Sequence, residues 1–115
     1  MKKRQRNKKV SVYSKFQKYY ELSRYLKTNL PIKYKVVVRR LPLNKIDGDC
    51  LLFNKKFIVR INNKLSEELA METLIHEFSH CLSYHCKGND HGPEWGKAYS
   101  KTYREFLKWN ENTDD

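Results

Sequence analysis

The chain has 115 residues, of which 39% are hydrophobic and 13% aromatic, and it carries a net charge of +11. This fits one domain with a modest core, leaves no room for a second, and excludes wholesale disorder. Three cysteines (Cys50, Cys81 and Cys86) do not form a paired disulfide framework, and no stretch approaches the apolar length of a membrane span, so a soluble, cytoplasmic monomer without a membrane partner is expected.

The charge is uneven along the chain. Residues 1–60 hold 18 Lys/Arg against 3 Asp/Glu, a net +15, whereas residues 61–115 hold 6 against 10, a net −4. An anionic partner for the N-terminal side is expected, either nucleic acid or an acidic membrane surface; DNA, single- or double-stranded, is favoured, and the bland alternative is a solvated basic surface. The first segment, residues 1–12, reads as a basic disordered arm carrying Lys2, Lys3, Arg4, Arg6, Lys8 and Lys9. With Arg39 and Arg40 these are the candidate nucleic-acid contacts.

A domain is expected over residues 13–110. Its first helix runs from Lys15 to Thr28, with Ser14 as N-cap, because Phe16, Tyr19, Tyr20, Ser23 and Leu26 recur at helical spacing. Strands follow at Ile32–Val38, Cys50–Phe53 and Phe57–Ile61, with Asn54-Lys55-Lys56 as a hairpin turn between the last two. A small, three-stranded, mostly antiparallel sheet is predicted. Phe57–Ile61 is expected to be its exposed edge, where an extended peptide adds as a further strand.

Ser66 begins the next helix, and Glu67 and Glu68 occupy its first turn, where the helix dipole favours them. The helix reaches about Tyr84. After a loop with Gly88 and Gly92, Pro93 opens a third helix whose apolar stripe is Trp95, Ala98, Tyr99, Thr102, Phe106 and Trp109. Residues 111–115 read as a frayed tail. The fold class is thus α+β: an N-terminal helix, a small sheet, a central helix and a C-terminal helix.

His76-Glu77-Phe78-Ser79-His80 falls inside the central helix. Residues four apart are offset by about 40° and rise about 6 Å, so both imidazoles point the same way and suit one tetrahedral zinc ion. Glu77 is turned aside from that direction and is placed to act as general base toward a zinc-activated water. A catalytic zinc keeps three protein ligands and one open position. His85, Cys86 and His91 are candidates for the third. His91 is favoured because it lies between a glycine-containing loop and a helix start; Cys86 would instead make the site more structural. Asp90 and Glu94 are candidates to accept the outer N–H of a ligand histidine, although a loop turn and a helix start explain them as well. Tyr84 and Tyr99 are weak candidates for oxyanion donors, and Tyr99 reads as core. Cys81 reads as a small buried hydrophobe.

The segment His91-Gly92-Pro93-Glu94-Trp95 resembles the third-ligand motif of the SprT-like metallopeptidases, the family that includes the Spartan-type proteases. Glu72 to Leu82 resembles that family's zinc helix, Ile58 to Asn62 the strand leading to it, and Gly48-Asp49-Cys50 the short hairpin before it. The resemblance spans roughly residues 32–107 and implies a minimal zincin-like domain. It implies that His76, His80 and His91 hold zinc, that Glu77 is the base and that Trp95 packs to fix the third-ligand helix. A C-terminal cysteine-rich zinc ribbon, common in the family, is missing from this sequence. The expected function is zinc-dependent cleavage of peptide bonds in proteins, with DNA-associated proteins favoured by charge and resemblance. The alternative is a DNA-binding module with a structural, non-catalytic zinc site.

Overall fold

A computed structural model of the protein describes residues 15–84 and 91–113. Helix α1 spans Gln17–Asn29, strands β1, β2 and β3 span Lys35–Leu41, Gly48–Leu52 and Lys56–Asn62, and helices α2 and α3 span Glu67–Leu82 and Pro93–Thr113. The architecture is α+β. None of the described helices is long and apolar enough to cross a membrane. The basic arm, Ser14, His85, Cys86 and Asp90 lie outside the described residues.

The sheet is mixed rather than mostly antiparallel. Its order is β1-β3-β2, with β3 parallel to β1 and antiparallel to β2. The hairpin forces the antiparallel pair: Asn54 and Lys55 both have positive φ, as the two central residues of a type I′ turn require, and the Phe53 N–H donates to the Lys56 carbonyl at 2.9 Å. The crossing from β1 to β2 then places β3 in the middle. Asn62 fixes that crossing, because its side-chain amide donates to the carbonyls of Leu43 and Ile46 at 3.1 and 2.9 Å. The expected edge at Phe57–Ile61 is therefore the central strand. Its inward residues Phe57, Val59 and Ile61 are buried, and their alternation with half-buried neighbours matches a strand with one face on the core.

The helices cover that face. Leu22 and Leu26 of α1, Ala70, Leu74, Ile75 and Phe78 of α2, and Trp109 of α3 complete one core with β3. Alpha1 lacks a side-chain cap of its own. Instead the Tyr19 N–H donates to the Glu67 carboxylate at 3.0 Å, so the first turn of α2 satisfies a free N–H of α1. The Tyr25 hydroxyl donates to Glu105 at 2.9 Å and ties α1 to α3. Helix α3 continues through Thr113, beyond the point where fraying was expected.

Candidate metal centre

Helix α2 begins where its sequence says it should. The Ser66 hydroxyl accepts the Leu69 N–H at 3.2 Å, and Glu67 and Glu68 sit in the first turn. Two and a half turns later the helix presents His76 and His80 on one side. Their half-buried rings lie 5.0 Å apart between centroids. Helix α3 starts at Pro93, two residues after His91. The exposed His91 ring thereby reaches across to both.

The three Nε2 atoms converge. His91 Nε2 is 3.1 Å from His80 Nε2 and 3.2 Å from His76 Nε2. An imidazole nitrogen is either a donor or an acceptor, so one nitrogen cannot make two good hydrogen bonds to two others of its own kind. A cation held between three lone pairs resolves that conflict. Nitrogens about 2.05 Å from a tetrahedral zinc would lie about 3.3 Å from one another, close to the spacing here. The donor set fits zinc, and burial together with the nearby His91 lowers the pKa of His76, which favours the neutral, ligating form. Among the described residues these three histidines are the group able to hold a metal ion.

Trp95 braces the trio. Its ring centroid lies 5.1, 5.5 and 4.8 Å from those of His76, His80 and His91, and Tyr99 stacks behind it at 5.0 Å. Its indole N–H is buried and has no hydrogen-bond partner among the described residues. The ring's hydrophobic contact with all three histidines, rather than a hydrogen bond, holds it there.

Glu77 lies on a different side of α2, under β2. Thr73, Glu77 and Cys81 form one ridge at i, i+4 and i+8. Gly48 of β2 comes so close that a Cβ there would sit 2.7 Å from Thr73 Cγ2, and Cys50 meets Cys81 further along. This cover leaves Glu77 only 6% exposed. Burial, with a smaller push from the Asp49 carboxylate, raises its pKa to about 7. Asp49 is itself gripped by both prongs of Arg60 across the β2–β3 pair.

The remaining candidates scatter. Glu94 is exposed in the first turn of α3. Tyr84 is exposed and packs edge-on against Phe57 at 5.4 Å. Tyr99 is not core: it is 37% exposed and, with Tyr103 and Phe106, walls a groove of about 690 Å³ whose other side is Glu68, Met71, Glu72, Ile75 and His76. The apolar stripe on α3 was misleading here because α2 covers only part of it. Arg39 is exposed on β1. Arg40 is committed within the fold, its guanidinium 3.9 Å over the Phe16 ring and donating to the Asn63 carbonyl at 3.3 Å. Sequence reasoning passed over Arg24 and Lys27, which line a second groove with Tyr20, Arg39 and Arg40 between α1 and β1. Their spacing of three on a basic helix was the available signal.

A model of the SprT-like family matches residues 12–114. No curated protein matches the chain. Among solved structures, the crystal structure of the metallopeptidase zymogen jannalysin of Methanocaldococcus jannaschii is similar at 18% identity. The match covers 83% of this chain and 92% of that one, with a TM-score of 0.41.

Proposed function

The chain belongs to the SprT-like family, and on that premise we propose that it is a zinc-dependent endopeptidase. The observation that carries this reading is the convergence of three imidazole nitrogens to 3.1–3.2 Å at α2, the helix that also holds the buried Glu77 next in sequence to His76. His76, His80 and His91 would hold the zinc. When bound, zinc supplies Lewis acidity, which polarises a carbonyl and lowers the pKa of water. Glu77 accepts a proton from water and passes it to the leaving amine, a task suited to a carboxylate whose pKa lies near neutrality.

Peptide binding is assigned to β2. It is an edge strand of the described sheet, and it lies over the ridge that contains Glu77. Leu51 and Phe53, at and just beyond its end, and Ile46 before it are exposed at 45%, 66% and 43%. An extended peptide pairing with β2 would cover them.

DNA association is assigned to the basic side. In the groove between α1 and β1, burial and the neighbouring cations Lys35 and Arg24 lower the pKa of Lys27, and a phosphate would relieve that crowding. Arg39 lines the same groove, and the lysines and arginines of residues 1–12 add to the positive charge of this half of the sequence.

The test compares wild type with Glu77→Gln, both shown to hold zinc, on a DNA-bound basic protein with and without single-stranded DNA. Cleavage by wild type alone supports the peptidase reading, and stimulation by DNA supports the basic surface. Zinc and DNA binding with no cleavage by either protein would favour a binding module with a structural zinc.

A further inference from the structure

Cys50 of β2 and Cys81 of α2 bring their sulfurs to 3.0 Å as free thiols. That is about 1 Å beyond a disulfide bond of about 2.05 Å. A close backbone approach contributes to this contact. Beta2 can lie this close to α2 because residue 48 is glycine, whose missing Cβ would meet Thr73 Cγ2 and the Arg60 carbonyl at 2.7 Å. Two residues on, the strand points the same way again, and Cys50 meets the next-but-one member of the Thr73–Glu77–Cys81 ridge. Cys81 follows His80 directly, but one residue is about 100° round the helix, so its sulfur is not aimed at the metal site. The proposed hydrolytic chemistry uses neither thiol.

We propose that Cys50 and Cys81 form a reversible intrachain disulfide, with a small-molecule disulfide as the oxidant. Cys50 is half-buried and Cys81 is 1% exposed, so Cys50 meets the oxidant first. Its sulfur attacks the external disulfide and releases one small thiol. The Cys81 sulfur then attacks Cys50 Sγ and releases the second. The two protein thiols lose two electrons and two protons, and the external disulfide gains both as two small thiols. The bond closes a 31-residue span that contains β3 and most of α2. It clips β2 to α2 one helical turn beyond Glu77, so the strand that buries this carboxylate is held more firmly in the oxidised protein.

The test uses the full chain loaded with zinc and oxidised glutathione as the probe. After oxidation and alkylation, digestion without reductant should yield Cys50 and Cys81 peptides joined to each other. The melting midpoint should rise by on the order of 10 °C and return with dithiothreitol. Cys50→Ala should lose both the link and the shift, and Cys86→Ser should keep both. Because Cys81→Ala risks leaving a core cavity, the half-buried Cys50 is the decisive variant. A link that runs through Cys86, or glutathione retained on Cys50 with no link, would overturn the proposal.

Discussion

Helix α2 and the segment that opens α3 bring together the three histidines that could hold a metal ion, but they position them by different physics. On α2, helical periodicity places His76 and His80, and the helix is locked by the buried Leu74, Ile75 and Phe78. On α3, His91 precedes the helix, is exposed, and depends on the Trp95 ring lying against all three imidazoles. The contrast teaches that two-thirds of this site is a property of the core, whereas the remaining third is a property of one aromatic contact. Damage to the first should cost the fold, and damage to the second should cost the metal.

The largest effect belongs to the core. Phe78 is fully buried, and Phe78→Ala should destabilise by about 3–5 kcal/mol in denaturant unfolding, taking zinc binding with it. A milder loss would show that α2 is not the rigid half of the site. Trp95→Ala should do the reverse. We expect zinc affinity to fall by about 10–100-fold, as for other groups that orient ligands, with a much smaller change in the unfolding midpoint of the metal-free protein. Competition with a zinc-sensitive dye would measure this, and Trp95→Phe should recover part of the affinity because it keeps a ring against the imidazoles.

Glu77 sharpens the comparison through pH. Its folded pKa, about 7, lies above the ordinary 4.5, so ionisation is harder in the folded than in the unfolded chain. The protonated folded state is therefore favoured below about 4.5, and that advantage is lost as pH rises toward about 7. Once metal is removed with a chelator, Glu77→Gln should be more stable than wild type at pH 8, by about 1–3 kcal/mol after allowing for partial solvent screening. The difference should vanish at pH 4. A gap independent of pH would mean that burial by β2 is not what raises this carboxylate. The smallest effect lies in the β2–β3 hairpin. Lys55 has φ 58° in the hairpin turn, and Lys55→Gly should stabilise by about 0.5–1 kcal/mol without changing zinc affinity.

Much of the site was legible in the sequence because its determinants are local. The Ser66 cap, the four-residue spacing of His76 and His80, and Pro93 opening α3 after His91 are each read within a few residues. The sheet order was not legible. It depends on Asn62 reaching Leu43 and Ile46 at the far end of the crossing, a contact between segments no periodicity connects. The same holds for Glu67 capping α1 and for the meeting of Cys50 with Cys81. Tyr99 failed for another reason: an apolar stripe predicts a face that seeks cover, not whether a neighbouring helix is wide enough to provide it.

The most direct measurement is a zinc titration of the metal-stripped protein by calorimetry, wild type beside His91→Ala. Wild type should take up one ion per chain, and the variant should lose more affinity than the roughly 100-fold expected of an orienting group while keeping its fold by circular dichroism. Equal affinity in the two proteins would contradict the three-histidine site at its centre.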